Sequence, residues 1–148
     1  MMLKSEIRHL AVIGVIVSAA VGCFLSCIEN GFNFDDIVTV VRNEDLRPTT
    51  PWTNILKNDY WGHQIGCYDS HKSYRPITTA SLRINYLIHE LSPAGYFLVN
   101  IGLHAIISCL IYVLTLSWLP VTTENNFEST AIAAAAALVF ACHPIHVD

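Results

Sequence analysis

Residues 10–28, "LAVIGVIVSAAVGCFLSCI", carry no charge. As a helix this run is about 28 Å long at roughly 1.5 Å per residue, close to the roughly 30 Å hydrocarbon core of a bilayer. A segment of this kind enters a membrane unless a large soluble core encloses it. The rest of the chain does not offer that core. Hydrophobic residues make up 53% of the sequence and charged residues only 14%, against about 25% charged residues in soluble domains. That leaves too little polar surface for a water-soluble globule. A cleaved signal peptide has a similar basic start and apolar core, but two later apolar segments favour a retained first helix in a polytopic protein.

The second apolar segment is 95–119, with Tyr96 and Trp118 near its ends, where aromatic rings prefer the membrane interface. Its polar members, Asn100 and His104, are four apart and share a helix face. They read as an interhelical hydrogen-bonding pair. The third segment, 130–148, is rich in alanine and suits close packing inside a bundle. The expected layout is a cytosolic start at 1–9, a first crossing at 10–28, a lumenal loop at 29–94, a second crossing at 95–119, a cytosolic connection at 120–129 and a third crossing at 130–148. Lys4 and Arg8 favour a cytosolic N-terminus. The 120–129 connection has no Lys or Arg, which disagrees. The other six basic residues lie in the long loop, but long loops translocate largely regardless of charge. The fold class is thus an all-α polytopic membrane protein.

The long loop has its own pattern. Around "TTPWTNIL" a short helix is expected, with Thr50 as N-cap and Pro51 first. From Pro76, the residues Ile77, Ala80, Ile84, Leu87, Ile88 and Leu91 follow helical spacing, with Thr79, Arg83, Asn85 and Glu90 mostly opposite. Such a helix lies on a membrane or packs against the folded loop. The five cysteines make no disulfide framework. Cys23, Cys27, Cys109 and Cys142 lie in or beside apolar runs and read as buried thiols.

Three sets of residues carry candidate chemistry. Asp35 and Asp36 stand where the chain leaves the first crossing. They serve either as helix-start carboxylates or as a general base, a role that allows a divalent cation to offset their repulsion. His71, Lys72 and Arg75 in "SHKSYRP" suit a phosphate, or form an ordinary polar loop. His143, His146 and Asp148 form a secondary set without the spacing of zinc proteases. A net charge of −4 and the lack of basic blocks argue against nucleic acid as the partner.

"FDD", "NEDLRP", "TPWTNIL", "NDYWG", "HKSYRP", "YFLVNIGLHA" and "HPIHVD" occur in that order from about residue 32 to the end. Together they resemble the start of the transmembrane and tetratricopeptide-repeat-containing (TMTC) family. The resemblance implies a GT-C-like helical bundle, multi-pass in the endoplasmic reticulum membrane. It also implies O-mannosylation of Ser/Thr on cadherin-type acceptors from dolichyl-phosphate mannose. It puts Asp35 and Asp36 in the active site, leaning to Asp35 as base, and two loop helices along the membrane. Arg47, Lys72 and Arg75, with His71, then answer the donor phosphate. The family usually has "HPIHTE" where Val147 and Asp148 stand here. The remaining crossings and the partner-binding repeats fall outside this sequence, and the piece alone is expected to be inactive. Two other classes compete: a transporter lined by Asn100 and His104, and a non-catalytic membrane-anchored scaffold.

Overall fold

A computed structural model describes residues 2–119 and 126–144. It is helical, with no strand among the described residues. The described residues form four α-helices: α1 (Met2–Phe24), α2 (Pro76–His89), α3 (Pro93–Trp118) and α4 (Asn126–Cys142). The chain divides into two compact units. One holds Ile28–Phe97, and the other holds Met1–Cys27 with Leu98–Asp148.

The second of these is a helical unit. Among the described residues, two segments are long and apolar enough to cross a membrane, Ser5–Glu29 and Pro93–Trp118, with mean hydropathies of 2.5 and 2.2. Protein covers only a minor share of either, as expected for helices whose remaining surface meets lipid. The apolar part of α4, Phe127–Cys142, is shorter. The helix begins at Asn126, inside the connection expected from sequence, and Glu128 in its first turn complements the positive end of the helix dipole.

Small residues set the packing in this unit. Ala133, Ala137 and Ala141 recur every four residues on α4 and are fully buried. The first two close against Ile16 and Tyr112, and Ala141 closes against Ala20 and Ala105. Side chains of this size allow the helix backbones to approach. His9 bonds the Tyr112 hydroxyl at 2.6 Å, and Phe24 meets His104 edge-on at 5.0 Å. Rising numbers on α1 thus pair with falling numbers on α3, so the two helices run antiparallel. Ser18, Ser108 and Thr115 return their hydroxyls to the Gly14, His104 and Ile111 carbonyls, which satisfies these three polar hydrogens within their own helices.

Two expectations are corrected here. His104 makes the expected interhelical bond, to the Ala141 carbonyl of α4 at 3.0 Å, and the first correction concerns its helix-mate. Asn100 is exposed. The cysteines are free, with Cys23 and Cys142 exposed and Cys27 and Cys109 partly covered. A helix surrounded by lipid leaves its small apolar side chains outside the protein core.

The Ile28–Phe97 unit is built around polar residues. A small apolar cluster of Val40, Leu46 and Tyr96, with Phe32, Leu82 and Tyr86 against it, adjoins buried Asn43, Asp45, Asp59, Thr79, Arg83 and Asn85. Asn43 Oδ1 accepts from the Asp45 amide at 2.9 Å, and its Nδ2 donates to the Tyr60 carbonyl at 3.3 Å. Gly62 lies against this side chain at φ +87°, where a Cβ would stand 2.7 Å from Asn43 Oδ1. Both the left-handed backbone and the space require glycine there.

The expected short helix forms as a single 3-10 turn, Trp52–Leu56. Its N-cap is Pro51 rather than Thr50. The Thr50 carbonyl instead accepts from Arg83 Nη2, and Arg83 Nη1 donates to the Asp45 carbonyl at 2.9 Å. The guanidinium also lies 4.3 Å over the Trp52 ring.

Those bonds reverse the polarity of α2. Arg83 and Thr79 are each 2% exposed, whereas Ile77 is 86% and Ile88 69% exposed. Ile84 and Leu87 are exposed as well. The polar face packs into the loop and the apolar stripe is left outside, the opposite of a soluble amphipathic helix.

Candidate functional site

Asp35 and Asp36 begin a tight turn that continues as a π-helical segment, Ile37–Val41. Phe34 enters the turn at φ 37°, a left-handed conformation that costs a bulky residue about 1–3 kcal/mol. Asn33 holds it there, since Asn33 Oδ1 accepts from the Phe34 amide at 3.0 Å. Asp36 Oδ2 accepts from the Asn33 amide at 3.3 Å, and the Asp36 amide donates to the Asn33 carbonyl at 2.9 Å. Asp36 therefore acts as the reaching-back acid of a capping box.

Asp35 has a different environment. Buried Thr39 donates its hydroxyl to the Asp35 main-chain oxygen at 2.9 Å, which fixes the backbone. The Asp35 carboxylate is exposed and accepts no hydrogen bond among the described residues. One aspartate of the pair holds the turn, and the other keeps its acceptor capacity.

The expected cations fall into two groups. Arg47 belongs with the aspartate turn. Its Nη2 donates to the Val41 carbonyl at the far end of that turn, and its guanidinium lies 4.3 Å over the Tyr86 ring. Its other terminal nitrogen, Nη1, is buried without a partner.

His71, Lys72 and Arg75 share a loop braced on residues 59–61. Asp59 organises that brace and was not singled out from sequence. Its Oδ1 accepts from the Trp61 and His63 amides at 2.9 and 3.0 Å, and its Oδ2 accepts from Ser70 Oγ at 2.6 Å. Burial pushes the Asp59 carboxyl up. The Ser70 hydroxyl, the two amides and the His63 charge outweigh burial and hold it below the ordinary value. Ser70 Oγ in turn accepts from the Lys72 amide at 3.0 Å, at a residue with φ 60°.

Ser73 continues the brace, taking Trp61 Nε1 at 3.2 Å and pairing with His71 Nδ1 at 3.0 Å. Arg75 lies 5.1 Å over the Tyr60 ring. Lys72 and Arg75 are exposed, and their charged groups donate no hydrogen bond among the described residues. Two unspent cations on a rigid loop suit an anion such as phosphate, with bidentate geometry available from Arg75.

Of the third set, His143 is exposed and follows α4, its amide donating to the Phe140 carbonyl at 3.3 Å. His146 and Asp148 lie outside the described residues. Among the described residues no three of His, Cys, Asp or Glu gather as a metal site.

Comparison with known proteins agrees with the seven motifs. The chain is 39% identical to protein O-mannosyl-transferase TMTC3 of Homo sapiens over 140 residues, 95% of this chain. It is 37% identical to protein O-mannosyl-transferase Tmtc3 of Drosophila melanogaster over 158 residues, 98% of this chain. It is also 38% identical to protein O-mannosyl-transferase TMTC2 of Homo sapiens over 138 residues, 92% of this chain. The chain belongs to the TMTC family. It spans 14%, 17% and 16% of the length of these three curated relatives. No family model matches this TMTC chain, and no solved structure does.

Proposed function

We propose that this TMTC segment supplies the acidic and donor-phosphate parts of a protein O-mannosyltransferase centre in a multi-pass protein of the endoplasmic reticulum membrane. The observation that carries the reading is the unspent Asp35 carboxylate. It sits on a braced turn six residues beyond the apolar span Ser5–Glu29, in a chain whose relatives are named protein O-mannosyl-transferases.

The donor is dolichyl-phosphate mannose, and the acceptor is a Ser or Thr of a cadherin-type protein. Asp35 takes the proton of the acceptor hydroxyl as that oxygen bonds to the anomeric carbon of mannose. The bond from that carbon to the phosphate oxygen breaks with inversion. Dolichyl phosphate leaves with the electron pair, and Lys72 and Arg75 stabilise its charge, with Arg47 behind the aspartate turn. His71 completes the loop that presents the two cations.

The reversed polarity of α2 supports a surface lying along the lumenal membrane leaflet. A helix with its polar face buried in protein and its isoleucines outside satisfies both faces only at an apolar boundary. Lys4 and Arg8 at the start of α1 support a cytosolic N-terminus and hence a lumenal loop. GT-C-like helical packing accommodates this arrangement.

The test is mannose transfer by a purified full-length TMTC protein carrying this segment. Labelled dolichyl-phosphate mannose is supplied with a Ser/Thr acceptor domain. Transfer is expected, with the donor KM raised about 10–100-fold in Lys72→Ala/Arg75→Ala, the net worth of roughly one charge-assisted bond at this exposed loop. A folded, membrane-inserted protein with no transfer would instead favour a non-catalytic scaffold.

A further inference from the structure

Cys23 and Cys142 are far apart in sequence and meet in space. α4 runs parallel to α1, because Ile16 packs with Ala133 and Ala137, and Ala20 packs with Ala141. The C-terminal ends of the two helices therefore lie together. Cys23 stands in the last turn of α1, and Cys142 is the last residue of α4. There the two thiols are in side-chain hydrogen-bonding contact. Both residues are exposed, and the transfer chemistry above uses neither.

The contact is held from both sides. His104 of α3 meets the Phe24 ring edge-on at 5.0 Å and bonds the Ala141 carbonyl at 3.0 Å. Phe24 follows Cys23, and Ala141 precedes Cys142. One side chain thus pins the chain beside each cysteine. Ala20, three residues before Cys23, and Ala141 are fully buried against one another. Alanine on alanine lets the two backbones approach, and a disulfide needs Cα atoms about 4.4–6.8 Å apart. The neighbouring cysteines are placed differently. Cys27 lies in the 3-10 turn Leu25–Glu29, and Cys109 packs against the Ile16 and Tyr112 cluster.

We infer that Cys23 and Cys142 form a redox-active dithiol that closes to a disulfide between the ends of α1 and α4. The oxidant is a disulfide, either a small one such as oxidised glutathione or that of an oxidoreductase. One cysteine thiolate attacks a sulfur of this oxidant, forms a mixed disulfide and releases a first thiol. The second cysteine thiolate attacks the protein-side sulfur of the mixed disulfide and releases the other thiol. The two cysteines lose two electrons and two protons, and the oxidant gains them as two thiols. The supply of oxidant rests on the lumenal placement proposed above, because α1 ends on the side where the Ile28–Phe97 loop begins and the lumen of the endoplasmic reticulum is oxidising. The bond fastens the short helix α4 to α1 where their packing is alanine on alanine.

The experiment uses permeabilised microsomes holding the full-length protein, equilibrated in glutathione buffers from fully reduced to fully oxidised. Acid denaturation stops exchange, N-ethylmaleimide caps the free thiols, and Glu-specific cleavage without reductant is followed by mass mapping. In oxidised buffer the peptide 7–29 is expected joined to the peptide that begins at Ser129, two hydrogens lighter than the separate pair and released by reductant. Two of the segment's five cysteines should then lose maleimide reactivity. Cys27→Ser and Cys109→Ser should keep the link, and Cys23→Ser should abolish it. Maleimide on both Cys23 and Cys142 in fully oxidised buffer would overturn the proposal. So would glutathione adducts on wild-type protein in place of the link, or a link that survives Cys23→Ser. The wild-type map decides the matter even where a serine variant does not fold. Both sides of the membrane meet the same buffer, so the result does not depend on the lumenal placement. A disulfide in a protein without mannose transfer keeps the dithiol and removes the transferase. Transfer by a protein whose thiols stay capped in oxidised buffer does the reverse.

Discussion

Ser70 Oγ donates a 2.6 Å hydrogen bond to Asp59 Oδ2, and through it the buried acid controls where Lys72 stands. Because Asp59 is held below its ordinary value of 3.8, its contribution to stability is present above that value and is lost as pH falls through the lowered folded value. Asp59→Asn should cost about 1–3 kcal/mol near neutral pH, and the variant should lose less stability than wild type on acidification. Hydrogen–deuterium exchange across residues 57–73 checks both. Exchange that is unchanged in the variant at neutral pH contradicts this role.

Arg83 joins α2 to the Asp45 and Thr50 carbonyls and to the Trp52 ring. Lysine carries the same charge but lacks the planar fork and the stacking surface. Arg83→Lys should therefore destabilise the loop by about 2–4 kcal/mol through lost charge-assisted bonds. The measurement is limited proteolysis within residues 42–75 of the full-length protein. Wild-type resistance would refute the clamp.

The sequence was informative where one physical signal dominates. Uncharged length marks the spans that make up most of α1 and α3, and Pro76 with its apolar period marks α2. Which face of α2 is buried was not legible. Ordinary amphipathic logic sends Arg83 to solvent, and the carbonyls that bury it lie more than thirty residues away in sequence. Asp59 was missed for a local reason. An aspartate two residues before an amide it accepts from, with Gly62 close behind, is turn chemistry, and "NDYWG" contains it. The division of labour between Asp35 and Asp36 depends on the left-handed Phe34, which no residue pattern announced.

The outward stripe of α2 predicts a separation of stability from membrane contact. Ile84→Asp and Ile88→Asp change exposed positions and should shift folding of the loop by no more than about 0.5 kcal/mol. Both should reduce quenching by brominated lipids of a fluorophore attached at exposed Ser81. Quenching equal to wild type would argue against a lipid-facing stripe.

The capping role of Asp36 predicts a structural phenotype. Asp36→Ala removes the acceptor of the Asn33 amide and should cost about 0.5–2 kcal/mol, visible as faster amide exchange at residues 33–37. Asp35→Asn, which disturbs no hydrogen bond of its side chain, should leave that exchange at wild-type rates.

The central claim is that Asp35 removes the acceptor proton. The most direct measurement is mannose transfer from dolichyl-phosphate mannose by the full-length protein carrying Asp35→Asn, with amide exchange and donor binding followed on the same samples. The account predicts that transfer falls about 10²–10⁴-fold while folding and donor affinity stay at wild-type values. Undiminished transfer by Asp35→Asn, by Asp36→Asn and by the double variant would contradict it.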